Sequence, residues 1–184
     1  MSSPDKLRRA LRLATAAALT LGLTACLRPL YGPTASGAPL AEVLAAVQIE
    51  PVANQPNIAN QERLGHYLRS ELTYDLNGSG QPTPKRYKLA ITAYGLPTLP
   101  LTDSTTGRAD AVTLNGSATY TLSEIDNGKV ITTGRAVGFA TYDRNPQRFA
   151  AVRAARDAEI RLGKMLAEQI KIRLATVLAT NRTP

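Results

Sequence analysis

The clearest pattern along this 184-residue chain is the alternation over residues 108–124. Val112, Leu114, Ala118, Tyr120 and Leu122 fall on one side, with Thr113, Asn115, Ser117, Thr119 and Thr121 on the other. Successive strand side chains point to opposite faces, so this run reads as a strand with one buried and one polar face, as in an antiparallel sheet covered on one side. Asp126-Asn127-Gly128 then gives a strong hairpin signal, and residues 129–142 read as the return strand. Gly134 and Gly138 within it mark a bulge or a close approach by another group. Residues 86–96 alternate around Tyr87, Leu89, Ile91 and Ala93 and form another strand.

Two stretches switch to helical spacing. Ile58, Leu64, Leu68, Leu72 and Leu76 make one apolar stripe, with Asn57 and Asn60 as candidate N-caps and Asn77-Gly78 as the stop. Asn145-Pro146 opens a last helix running to about residue 179. Its expected stripe is Val152, Ala155, Ala158, Leu162, Met165, Ile170, Leu174 and Val177, with Arg153, Arg156, Arg161, Lys164, Lys171 and Arg173 mostly toward solvent. Residues 43–52, carrying Val43, Val47, Ile49 and Val52, read as a first strand, with Pro51 at its end or on an edge. The order is strand-helix-strand-strand-strand-helix. This predicts an α+β two-layer sandwich, a mainly antiparallel sheet of about four strands with two helices on one face.

The N-terminus follows a different logic. Lys6, Arg8, Arg9 and Arg12 precede an uncharged run, residues 13–25, which is shorter than the roughly 20 residues a spanning helix needs. That is the make-up of a signal peptide, and the run ends at Cys26, the one cysteine of the chain. An ordinary secretory signal or a buried core helix would share the apolar run. A lone cysteine in an exported chain asks for a use, and acylation supplies one. Leu23-Thr24-Ala25-Cys26 resembles a bacterial lipobox, which makes Cys26 the expected lipid-attachment site. The expected organisation is a signal peptide over 1–25, a lipidated Pro- and Gly-containing tether over 26–41, and one domain over 42–184.

Charge changes the picture only slightly. Removing residues 1–25 takes away four basic residues and Asp5, leaving 18 Lys+Arg against 13 Asp+Glu. This mild excess suits an anionic surface or ligand, but it is too dispersed for nucleic acid, and the chain has no Trp and only two Phe. With no second cysteine there is no intramolecular disulfide.

Little in the chain points to catalysis. His66 is the one histidine, and Asp103 and Asp110 have no acid/base partner nearby in sequence. The sequence lacks HExxH, CxxC, GxSxG and phosphate-cradling glycine loops, so neither a metal nor a cofactor beyond a covalent lipid is expected. The expectation is a non-enzymatic protein. Arg108, Arg135 and Arg144 lie in or near strand ends and are candidates for pairing with phosphates, as are Lys85 and Arg86 to a lesser degree. The Thr/Ser/Asn sheet face and the segment Arg28-Pro29-Leu30-Tyr31-Gly32 are candidate contact surfaces.

Taken in order, several segments resemble one family. They are Cys26 with Arg28-Pro29-Leu30-Tyr31-Gly32; Glu62-Arg63-Leu64 to Leu68-Arg69-Ser70-Glu71-Leu72; Arg86-Tyr87-Lys88-Leu89; Tyr120-Thr121-Leu122; residues 134–142; and Phe149-Ala150 leading into Asp157-Ala158. Together they resemble the LptE family of lipopolysaccharide-assembly lipoproteins in its alphaproteobacterial form. Ala25 stands where that family's lipobox usually has Gly, and the loop after Pro97 matches no family motif. The resemblance implies an outer-membrane lipoprotein on the periplasmic side. It would plug and help assemble the LptD β-barrel and contact lipopolysaccharide; the resemblance carries over no contact residue, and Arg108, Arg135 and Arg144 are candidate lipopolysaccharide contacts from their own positions in the chain. The alternatives are an auxiliary lipoprotein of another envelope lipid-transport system, and a periplasmic hydrolase using His66 or Asp110.

Overall fold

A computed structural model describes residues 37–54, 62–78, 83–99, 111–144 and 146–180, all within one compact unit, Pro33–Pro184. The elements are α1 (Leu40–Ala45), β1 (Val47–Ile49), β2 (Ala53–Asn54), α2 (Glu62–Asn77), β3 (Tyr87–Thr98), β4 (Ala111–Glu124), β5 (Val130–Asp143) and α3 (Arg148–Thr180). The fold is α+β, with a five-stranded sheet ordered β1-β3-β4-β5 and β2 pairing β3.

β4 occupies one edge of β3 along its whole length, so β1 and β2 must share the other. They run parallel to β3 and fill one strand position in two pieces. β3, β4 and β5 form an antiparallel meander. The expected sheet of about four strands is therefore present, with a parallel first strand reached through the α2 crossover.

The first strand is shorter than its apolar content suggests. Residues 40–45 are helical, and pairing starts only at Val47. Pro39, with φ −59°, leads into Leu-Ala-Glu-Val-Leu-Ala, a run of mostly good helix formers that buries Leu40 and Leu44 four residues apart. Pro51 lies between β1 and β2 on the sheet edge, the position where a missing N–H does least harm. The described part of α2 follows its expected stripe: Leu64, Leu68, Leu72 and Leu76 are buried, and Gly78 (φ 58°) donates its N–H to the Tyr74 carbonyl at 2.9 Å. Asn57, Asn60, Ile58 and Asn145 lie outside the described residues.

α2 and α3 run side by side in the same direction. Arg63 binds Glu159 through two hydrogen bonds of 2.7 and 2.9 Å, and Lys171 meets Asp75 at 3.2 Å. Both pairs are spaced twelve residues apart on their helices, so the helices are parallel and in step. The hydrogen bonds and then the charge of Glu159 hold the Arg63 guanidinium above its ordinary pKa.

The buried stripe of α3 is Ala158, Leu162, Leu166, Ile170, Leu174 and Leu178, joined by Gly163, Ala167 and Ala175. This corrects the expected stripe: Val152 is 58% exposed and Met165 40% exposed. The helix touches both the sheet and α2, so its buried arc is wide and takes in small residues that a search for large apolar ones passes over.

The sheet beneath the helices also carries small residues. Gly95, Gly116 and Gly138 are cross-strand neighbours on β3, β4 and β5. Ala93, Ala118 and Ala136 form the next inward row, two residues along each strand. Together they make a shallow floor. A Cβ on Gly116 would stand 2.6 Å from Leu162 Cδ2, and one on Gly138 would stand 2.7 Å from Met165 Sδ. Gly138 is thus a close-approach glycine, as is Gly134, which lies under the Tyr120 hydroxyl. The register irregularity falls instead at Leu122/Ser123.

Leu162 is fully buried and cannot swing away. Gly116→Ala is expected to cost about 1–3 kcal/mol by overpacking. Gly95→Ala, whose nearest contact would be Leu64 Cδ2 at 3.1 Å, should cost less. Urea unfolding of both variants beside the parent checks the order.

Candidate functional site

The helices cover one face of the sheet, and among the described residues no element covers the other, open face. Register assigns its rows. Thr98, Thr113 and Thr141 line up across β3, β4 and β5, followed by Leu96, Asn115 and Phe139, then Tyr94, Ser117 and Val137, and then Thr92, Thr119 and Arg135. The polar face expected from the β4 alternation is present, but only its middle strand is uniformly polar.

The flanking strands add an apolar element. Leu96 is 43% exposed, Val137 55% and Phe139 61%. They surround Asn115 and Ser117. The hydroxyl residues are tied laterally: Thr113 and Thr141 share a hydrogen bond of 3.2 Å, and Asn115 Nδ2 donates to Thr98 Oγ1 at 2.8 Å. Ser117 is only 3% exposed, although it lies on this open face. Arg135 covers it, donating from Nε to Ser117 Oγ at 2.7 Å and from Nη2 to the Tyr94 hydroxyl at 3.1 Å. Both acceptors are neutral, so these bonds orient the guanidinium without cancelling its charge.

The remaining sequence candidates separate. Arg144 follows β5 and is exposed. It is nine residues beyond Arg135, about 30 Å along an extended strand, so the two do not share one site. Arg108, Cys26 and residues 28–32 lie outside the described residues, as do Asp103 and Asp110. Lys85 ties the ends of α1 and α2 together, its Nζ donating to the carbonyls of Ala45 (2.7 Å) and Val47 (3.2 Å) and to Asn77 Oδ1 (2.8 Å). His66 is exposed on α2 with its ring edge-on to Tyr67, centroids 5.9 Å apart. Among the described residues, no group of three or more His, Cys, Asp or Glu could hold a metal ion, and no helix is long and apolar enough to cross a membrane.

Three side chains of α3 bond peptide groups along the outer edge of β5. Gln169 Nε2 donates to the Val137 carbonyl at 2.8 Å, and its Oε1 accepts from the Val137 N–H at 3.4 Å. Arg173 donates to the Arg135 carbonyl at 2.6 Å, and Arg161 to the Thr141 carbonyl at 2.9 Å. Arg161 and Arg173, expected toward solvent, therefore satisfy peptide groups that an edge strand would otherwise leave open.

A family model described as LptE: Lipopolysaccharide-assembly matches residues 44–174, a span that holds the open face, the small-residue floor and most of α3. The chain belongs to the LptE lipopolysaccharide-assembly family. Among solved structures it is similar to a Caulobacter crescentus protein classed as a lipoprotein, at 26% identity and TM-score 0.61, over 77% of this chain and 97% of that one. More distant likenesses are a minor lipoprotein of Acinetobacter baumannii (13% identity, TM-score 0.45, 75% and 96% coverage) and rare lipoprotein B of Shewanella oneidensis (10%, 0.42, 71% and 92%). Among curated proteins, none matches the sequence.

The β4 half of the LptE-family open face is readable from alternation, but alternation alone does not single out Leu96, Val137 and Phe139. The available signal is the pairing of β3 and β5 with β4. Because they are exposed, Leu96→Ser and Phe139→Ser are expected to change folding stability by no more than about 0.5 kcal/mol. Leu122→Ala, on the buried face of the same sheet, should cost about 2–5 kcal/mol. Chemical unfolding of the three variants tests this division between the faces.

Proposed function

We propose that this LptE-family protein is a non-enzymatic outer-membrane lipoprotein. In this reading it is held on the periplasmic side by lipid on Cys26, and it seats in an LptD-type β-barrel to support lipopolysaccharide assembly. The observation that carries the reading is the family match over residues 44–174. The open sheet face supports it physically. A barrel lumen is polar, and a face of threonines, Asn115 and Arg135 around a small apolar centre suits a hydrogen-bonded contact with such a wall. Arg108, Arg135 and Arg144 remain the candidate contacts for lipopolysaccharide phosphates, with Arg135 the best oriented of the described pair.

Three measurements test this. Affinity purification of the protein from membranes should recover the barrel, and Phe139→Asp should lose it without losing the fold. Recovery of an inner-membrane transporter in place of the barrel would favour the auxiliary-lipoprotein alternative. Cys26→Ala should move the protein from the membrane to the soluble envelope fraction; unchanged membrane retention would count against acylation as the anchor. Arg135→Glu should weaken lipopolysaccharide binding about 3- to 10-fold, the scale of one exposed charge contact. Equal binding by the variant and the parent in a direct titration would remove Arg135 from the contact.

A further inference from the structure

The first ten residues of α3 bury nothing: the first buried residue of the helix is Ala158. Yet Phe149, Val152, Arg153 and Arg156 stand at i, i+3, i+4 and i+7, which places them on one helical face. Phe149 is 88% exposed and Val152 58% exposed. In helical register, the line through Phe149, Val152 and Arg156 continues into Gly163, Ala167 and Ile170, all buried. There α2 covers it: a Cβ on Gly163 would lie 3.1 Å from Tyr67 Cβ. α2 is described only from Glu62, whose neighbour Arg63 reaches back no further than Glu159. An apolar stripe thus runs past its described cover, and its outer part carries arginines.

Among the described residues, Arg148, Arg153 and Arg156 form no ion pair, while the nearby carboxylates are engaged: Asp157 with Arg161 at 2.7 Å and Glu159 with Arg63 at 2.7 Å. Phe149 and Val152 therefore sit among unneutralised guanidinium groups. That combination suits a surface which is apolar beneath and negatively charged above. Aromatic rings seat at the headgroup level of a bilayer while arginine stems reach up to phosphates.

We propose that the Phe149/Val152/Arg153/Arg156 face of α3 docks on an anionic phospholipid bilayer surface. This interaction is separate from the open sheet face and does not depend on the barrel reading. The face inserts one aromatic side chain at headgroup depth and sets Arg153 and Arg156, flanked by Arg148, against lipid phosphates. The contact orients α3 relative to the membrane.

The chain contains no tryptophan, so Phe149→Trp creates a single fluorescent reporter on this face. Tyr74→Trp provides the control. Tyr74 is 74% exposed on α2, level with about residue 170 of α3 and so about 30 Å away along the helix pair. The full chain carrying either substitution is reconstituted into vesicles of phosphatidylcholine alone, phosphatidylcholine with phosphatidylglycerol, or phosphatidylcholine with lipopolysaccharide. For the Phe149→Trp chain, the expected result is a blue shift of indole emission with phosphatidylglycerol and none with phosphatidylcholine alone. The Tyr74→Trp chain should show no shift in either. High salt should reverse the shift, and adding Arg153→Gln with Arg156→Gln to the Phe149→Trp chain should abolish it at an unchanged unfolding midpoint. The proposal is overturned if the Phe149→Trp reporter fails to shift with phosphatidylglycerol, if it shifts equally in neutral vesicles, or if the Tyr74→Trp control shifts alongside it. A shift confined to lipopolysaccharide vesicles would overturn it in favour of a glycolipid ligand. A concentration-dependent shift without vesicles would do so in favour of a second copy of the chain.

Discussion

The sheet carries two parallel helices because its inner face is nearly bare in the middle. The Gly95-Gly116-Gly138 row and the adjoining Ala93-Ala118-Ala136 row remove the side chains that would hold a helix at ordinary height. Leu162 fills the space directly over Gly116, and Met165 lies over Gly138. Close approach brings α3 near enough to β5 for Gln169, Arg161 and Arg173 to reach its peptide groups. Among the described residues, it also leaves the opposite face of the sheet without a helix. The packing of one side thus decides what the other is available for.

This arrangement is only partly legible in the chain. The Leu64-Leu68-Leu72-Leu76 stripe and the β4 alternation can be read directly, because each repeats a single period over three or more turns or strand pairs. The floor cannot, since it depends on which residues of β3, β4 and β5 face one another. The irregularity at Leu122/Ser123 shifts the β4–β5 pairing by one residue just beyond the turn. Counting outward from Asp126-Asn127-Gly128 without that shift would turn Val137 and Phe139 inward and Gly138 outward. The α1 segment escapes the pattern for a related reason: six residues are too few for a helical period to stand out from a strand-like run of Val, Leu and Ala.

The candidate site is legible in outline. Ser117 and its threonine neighbours belong to the open face, and Arg135 belongs with them. What periodicity cannot show is that neutral hydroxyls hold Arg135 in place, that Arg144 lies past the far end of the same strand, or that Lys85 is committed to the ends of two helices. Side-chain partners depend on tertiary neighbours, and a charge in a sequence looks the same whether it is bonded internally or free.

The closure of β5 by α3 has a further meaning for a protein of this family. A row of unpaired peptide groups will accept any extended segment, whatever its sequence, because main-chain hydrogen bonding ignores side-chain identity. With the carbonyls of Arg135, Val137 and Thr141 already taken, that route for indiscriminate strand addition is obstructed over the middle of this edge. On this side of the sheet, shape and chemistry are then offered by the side chains of the face more than by the strand backbone. A domain built this way can work beside unfinished β-structure without becoming part of it.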